Sequence, residues 1–372
     1  MIKSVYLYLL MGMASLCLWL PASAQQPATD LPEEIPSGPF KAGHIQGIAI
    51  DHAKKHIYCS YTTMLVKTDF EGNILGTVTG LLGHLGDLDF HPESRCIYGS
   101  LEYKNDAIGK GIMQMENSTR KLDNAFYIAI FDVDKINRIG MDAEKDGIMR
   151  TVYLATVLND YLAKVEVNEK THEHRLGCSG IDGVSFGPQM GKTDGKQYLT
   201  VAYGIYSDTN RKDNDYQVLL QYDIKKWEQL ARPLSQDNMH TEGPQKPHGQ
   251  YFVFTGNTTY GVQNLEYDAH TKKWWMAVYK GNKTEYPNYA LFAFDADTRP
   301  HKQALQGVPY IPKATTITSV QGWHQDIGST GLCSLDNGLF LISHSYKNSK
   351  GQGSTLKLYQ YQEGKNPFKQ VP

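Results

Sequence analysis

The chain has 372 residues, 41% hydrophobic and 20% charged, with a mean hydropathy of -0.44. That composition excludes wholesale disorder, a fibrous repeat and a polytopic membrane protein. With 37 Lys and Arg against 39 Asp and Glu, the net charge is -2, and no global basic field exists to hold nucleic acid.

The first segment reads as an export signal. Lys3 gives a positive head, Val5 to Leu20 is an almost unbroken apolar run, and Pro21-Ala22-Ser23-Ala24 supplies small residues before Gln25. This is the pattern of a cleaved secretory signal peptide over residues 1–24, and it predicts a secreted or periplasmic protein. The run is too short for a comfortable membrane span, so no span is expected after its removal. Cys17, between apolar residues, is a poor lipoprotein site. Residues 25–40 are rich in Pro, Glu and Ser and are expected to be a loose leader to a single domain over 41–372.

Within that domain the sequence repeats. Gly43-His44-Ile45-Gln46-Gly47-Ile48-Ala49-Ile50-Asp51 leads to His56-Ile57-Tyr58-Cys59-Ser60. Forty residues on, Gly83-His84-Leu85-Gly86-Asp87-Leu88-Asp89-Phe90 leads to Cys96-Ile97-Tyr98-Gly99-Ser100. Weaker copies of the first strand begin at Gly180, Gly261 and Gly328. Second strands follow, with Tyr198 to Ala202, Trp274 to Val278 and Leu339 to Ser343 in the later units. Third strands are Met64 to Asp69, Phe126 to Asp132, Tyr216 to Asp223, Tyr289 to Asp295 and Leu356 to Tyr361. Weaker fourth strands are exemplified by Ile74 to Val78 and Thr151 to Ala155. The apolar–polar alternation is that of strands, and no sustained helical period is visible.

Four-stranded units repeated in series predict an all-β fold, a β-propeller. Five units are identifiable. Each then takes roughly 70 residues, more than familiar blades, and the excess is assigned to loops at 104–125, 141–150, 205–215 and 233–250. Seven blades of about 50 residues would also fit the length. Cys59, Cys96, Cys178 and Cys333 are widely spaced, with no CxxC pair, and are expected as buried thiols.

In a propeller the first strand of each blade is innermost, and its start opens on the face that carries the loop between strands two and three. His44 and His84 stand at that face in adjacent blades. Each second strand ends near a tyrosine: Tyr61, Tyr103, Tyr203, Tyr279 and Tyr346. The loops add Lys104, Lys110, Arg120, Tyr206, Arg211, Lys212, Lys280, Lys283, Tyr286, Lys347 and Lys350. Cations and aromatic rings gathered at one mouth suit an anionic ligand with a stackable surface: an acidic sugar, a sulfated sugar or a phosphate. Gln46, Asp182, Gln263 and Thr330 occupy matching first-strand positions and could line a channel or hold a cation; calcium is the candidate, although one charged oxygen among neutral ones is few. No other cofactor is expected: there is no phosphate loop, dinucleotide fingerprint, zinc motif or nucleophile elbow.

His44 with Gln46, the Gly83-His84 opening of the next blade, and the later Tyr and Arg positions resemble secreted propeller enzymes of polysaccharide degradation. The likeness is to glycoside hydrolase family 145 and polysaccharide lyase family 42, with ulvan-lyase propellers similar in architecture. The resemblance implies action on an acidic, uronate-containing carbohydrate by lyase-type or glycosidic cleavage. His84, Tyr206 and His44 are then the candidate catalytic residues. Arg211, Lys104, Tyr103, Gln46, Asp182 and Gln263 are the candidate substrate-binding residues. A lyase needs the uronate carboxylate neutralised, for which Arg211 and Lys104 are candidates, and a base and an acid near the sugar, for which His84 or Tyr206 would serve. A hydrolase needs two carboxylates, for which Asp182, Glu102 and Asp87 are available. The alternatives are a non-catalytic propeller that binds glycan or protein, and a metal-dependent lactonase.

Overall fold

A computed structural model describes residues 29–371. The export signal falls outside the described residues. The unit that begins at Leu31 is a five-bladed β-propeller.

Blade 1 comprises Ile45–Asp51, His56–Tyr61, Met64–Asp69 and Ile74–Thr79, in that order outward, with Met141–Asp142 added parallel at its edge. Blade 2 comprises His84–His91, Cys96–Tyr103, Ala125–Asp132 and Met149–Tyr153, with Arg232–Pro233 outermost. Blade 3 runs Cys178–Pro188, Gln197–Ile205, Tyr216–Tyr222 and Gly249–Phe254, and then takes Ala314–Ile317 and His301–Gln303. Blade 4 runs Thr258–Asp268, Lys273–Lys280, Leu291–Asp295 and Val320–Trp323. Blade 5 runs Leu332–Ser334, Leu339–Asn348 and Gly351–Tyr361. The inner strands contact one another in ring order, and the fifth returns to the first.

One expectation is corrected. Residues 25–40 are not wholly a loose leader, because Glu34–Phe40 is a strand paired antiparallel to Gly351–Tyr361. Phe368–Gln370 pairs with the far end of that same strand. The outer edge of blade 5 is thus built from both ends of the described chain, which closes the ring. The expected loop at 104–125 also contains a helix, Ala107–Met115, and a second helix spans Ala155–Leu162. Both are too short to raise a helical period above the strand pattern. No helix among the described residues is long and apolar enough to cross a membrane.

The inner strands explain how the repeat becomes a ring. Ile45–Asp51 is buried along its whole length, because neighbouring blades cover its two faces. Four inner strands break register at the same place: between Ile45 and Gly47, Leu85 and Leu88, Ile181 and Val184, and across Val262 to Asn264. Such a bulge turns backbone groups out of the ladder toward the axis. Two buried side chains collect them. Asp87 accepts from the backbone N–H of Leu88 at 2.9 Å and of Val184 and Leu265 at 3.0 Å each, joining blades 2, 3 and 4. Asn264 donates to the Gln46 carbonyl at 2.7 Å and accepts from Leu332 N–H at 2.9 Å, joining blades 4, 1 and 5. The opposing position in blade 1 must be glycine: a Cβ on Gly47 would lie 2.6 Å from Asp87 Oδ1.

Asp87 is therefore a structural plug and is removed from the candidate catalytic carboxylates. Asp87→Ala would leave buried N–H groups in three blades without an acceptor. A loss of at least about 3 kcal/mol is expected by urea unfolding, because each orphaned buried group costs about 1–3 kcal/mol. A change below 1 kcal/mol would contradict the axial role.

Candidate functional site

The mouth is the axial end at which the inner strands begin. His84 is the first residue of its strand and faces Glu102 directly across the ladder. Lys104 directly follows the last strand residue, Tyr103, and its ammonium reaches back to Glu102, while Tyr103 points the opposite way from Glu102. Gly180, at φ +125°, lets blade 3 come close: a Cβ there would collide with Glu102 Oε2. That oxygen accepts the Ile181 N–H at 3.0 Å, which carries the chain on to Asp182.

The result is a compact polar cluster. His84 Nδ1 lies 3.6 Å from Asp182 Oδ1 and 3.8 Å from Glu102 Oε1, and it is a buried atom with no hydrogen-bond partner. The His84 and Asp182 side chains are 13% and 12% exposed, whereas Glu102 is only 3% exposed. Lys104 forms an ion pair with Glu102 and donates to the Ser179 carbonyl at 2.8 Å. Gln263 donates to Asp182 Oδ2 and to the Tyr260 carbonyl, both at 3.0 Å. Gln46 donates to Thr62 Oγ1 at 3.0 Å.

Burial sets the protonation states. It pushes the His84 imidazole down to about 3, helped by the Lys104 ammonium and by His44. It lowers His44 as well. Burial and the neighbouring Glu102 charge raise the Asp182 carboxyl well above the usual aspartate range. Glu102 is also pushed up by burial but is drawn back by Lys104, whose own ammonium is held charged against burial by Glu102 and Asp106. The mouth therefore holds one internal ion pair, a neutral imidazole, and a carboxyl group that keeps its proton longer than a surface aspartate does.

Several sequence candidates lie elsewhere or are already engaged. Tyr103 is buried against blade 1, with its hydroxyl donating to Gln236 Oε1 at 3.0 Å, so it is not a mouth residue. Tyr61 and Tyr203 are likewise core residues, bonded to Ser37 and Asp160. Arg211 is 5% exposed. It is bidentate to Asp213 at 2.8 Å and donates to the carbonyls of Glu173 and His174. Four of its five N–H groups are thereby spent, so it cannot act as a free clamp for an anion. Lys283 is buried against Asp215, Asn214 and the Arg211 carbonyl. The expectation of a strongly cationic mouth is corrected accordingly: its most buried cations neutralise the protein's own carboxylates. Tyr206 is on the mouth face, but its hydroxyl donates to Asp106 Oδ2 at 2.8 Å. Burial and that carboxylate hold the phenol protonated, which disfavours it as a proton exchanger. Thr330 bonds within its own blade, to Ser343 at 2.8 Å.

Two mouth residues were not singled out from sequence. Asp106 caps the helix Ala107–Met115 by accepting the Gly109 N–H at 2.9 Å. Tyr260 is exposed, at φ +64°, beside the start of the blade 4 inner strand. A tyrosine held in the left-handed region just before Gly261 has no sequence signature.

Among the described residues, no group of three or more His, Cys, Asp or Glu is placed to hold a metal ion. The four described cysteines are free and buried.

No protein-family model matches the chain, and no curated protein matches it. Solved structures do match. The apo form of the soluble aldose sugar dehydrogenase from Escherichia coli is similar over 87% of this chain and 98% of that one, at 10% identity and a TM-score of 0.36. At that identity no residue role transfers.

The lowered His84 value has a definite sign in stability. An unfolded histidine takes up its proton near pH 6.5, whereas the folded one resists until about 3. The unfolded state thus binds more protons between these values, and His84 costs stability progressively as pH falls through that window. NMR titration of the ring should show His84 still neutral at pH 5, where surface histidines are charged. A midpoint near 6.5 would contradict the geometry.

Proposed function

We propose that the mouth is the active site of a lyase that cleaves a uronate-containing polysaccharide by syn β-elimination, with His84 as base and Asp182 as acid. The observation that supports this most is the 3.6 Å separation of the two side chains, each of which keeps a small exposed edge at the mouth. In β-elimination the proton leaves C5 and the glycosidic oxygen leaves the adjacent C4. A base and an acid side by side suit two bonds on neighbouring atoms of one sugar face.

The state of the carboxyl groups argues against hydrolysis. Retaining and inverting glycosidases hold their two carboxyl groups about 5–5.5 Å or 6.5–9.5 Å apart, flanking the bond. Here Glu102, the other nearby carboxylate, is buried and paired with Lys104.

The step balances on this pair. The His84 imidazole takes the C5 proton, and the released electron pair forms the C4=C5 double bond. The C4–O bond breaks and the leaving oxygen takes the Asp182 proton. A proton passing from His84 back to Asp182 resets the site. His44 and the second amide N–H of Gln46 are the donors that meet the sugar carboxylate, in place of a free cation. That bound anion also raises the imidazole toward a useful basicity. We place the enzyme outside the cytoplasm on the strength of the apolar run Val5 to Leu20 and the small residues that follow it.

The test is a panel of uronate-containing glycans followed by the ultraviolet absorption of the new double bond. His84→Ala and Asp182→Asn should each lower kcat by about 10²–10⁴-fold with KM changed only a few-fold. Binding without any rise in absorption would overturn the lyase reading and leave a glycan-binding module.

A further inference from the structure

A cavity opens on the mouth face, over blade 3. It has a volume of about 360 Å³ and is lined by His172, His174, Tyr206, Asp208 and Arg211, among others. The segments that form it leave blade 3 at its mouth end, because Cys178 and Ile205 pair at the start of that blade.

The cavity wall is built with care. His174 has φ +61° and Leu176 has φ +61°, so two side-chain-bearing residues within three positions adopt the left-handed region. The buried Arg211–Asp213 pair fixes this bend by donating from Arg211 to the carbonyls of Glu173 and His174. Strain of this kind persists only where its surroundings enforce it. The His174 ring is oriented as well. Its Nδ1 lies 2.6 Å from the Tyr161 carbonyl, an acceptor, so the ring proton sits on Nδ1. In the neutral ring Nε2 is then the lone-pair acceptor. The ring stands 4.8 Å from the Tyr206 ring.

A relay of side-chain contacts links the wall of this cavity to the His84 site. Tyr206 bonds Asp106 at 2.8 Å, Asp106 lies 3.8 Å from the Lys104 ammonium, Lys104 pairs with Glu102, and Glu102 lies 3.8 Å from His84. A short chain of contacts therefore separates the two places on one face.

We propose that this cavity is a subsite for a further sugar unit of the same glycan, which deepens the lyase reading and rests on it. An aromatic ring, an imidazole acceptor, the Asp208 carboxylate and the one remaining Arg211 N–H offer a ring surface with donors and acceptors around it. That chemistry fits sugar hydroxyls. It has no free cation to select a carboxylate, so the unit bound here is a neutral sugar, and the uronate stays at His84.

The experiment uses the full chain labelled with ring-¹³C histidine, with the His84 and His174 signals assigned through His84→Gln and His174→Gln. A uronate-containing disaccharide and a hexasaccharide of the same glycan are the probes. The disaccharide should shift His84 alone, and the hexasaccharide should shift both. His174→Ala should weaken the hexasaccharide about tenfold and leave the disaccharide unchanged. A hexasaccharide that shifts His84 alone overturns the subsite and leaves the lyase site standing. A shift of His174 alone overturns the binding of one glycan across the two places. If neither ring responds to any uronate glycan in the panel, the lyase reading fails and the subsite fails with it.

Discussion

The Asp87 carboxylate at the centre of the ring is the constraint from which the rest follows. Four inner strands bulge at one level, and a bulge leaves backbone N–H groups with no strand to receive them. Asp87 takes three of these groups and Asn264 joins the blades that Asp87 does not reach. Burial pushes the Asp87 carboxyl well above its usual range, against the pull of those three donors. The same bond set fixes where each inner strand begins relative to its neighbours. His84 and Asp182 meet because the strands that carry them are both pinned to Asp87.

The mouth then acquires its electrostatics by exclusion of water. Three ionisable groups, His84, Glu102 and Asp182, share a volume closed by Gly180 and Lys104. A single ammonium can compensate only one of two carboxylates. It pairs with Glu102, and Asp182 is left to carry the cost of burial as a raised pKa. The imidazole, beside an ammonium and out of water, is driven the other way. A base and an acid with opposed shifts are what the proposed elimination uses.

Much of the fold was legible because the repeat is written twice in full. The match between residues 43–60 and 83–100 places His44 and His84 in equivalent positions, and the period-two pattern supplies the strands. The blade 5 edge was hidden, since Pro36, Ser37, Gly38 and Pro39 have the composition of a loop and pair only with a strand more than 300 residues away. At the site, Asp182, Gln263 and Gln46 were singled out from their matching positions and Lys104 from the loop cations, but their roles were not. Part of what was missed was nevertheless present in the sequence. Arg211-Lys212-Asp213 puts an acceptor within reach of the arginine, and Glu102-Tyr103-Lys104 puts a carboxylate within reach of the ammonium while the tyrosine points the opposite way. Reading loop cations as free, without asking which carboxylate lies nearby, produced the expectation of a cationic mouth.

The account depends on Asp182 holding a proton that an ordinary aspartate would have lost. Carbon-13 NMR of the aspartate side-chain carboxyl groups, with the Asp182 signal assigned through Asp182→Asn, measures this directly. The Asp182 carboxyl is expected to remain protonated as pH rises past the point at which the exposed aspartates have all ionised. An Asp182 signal that titrates together with those surface groups would contradict the account.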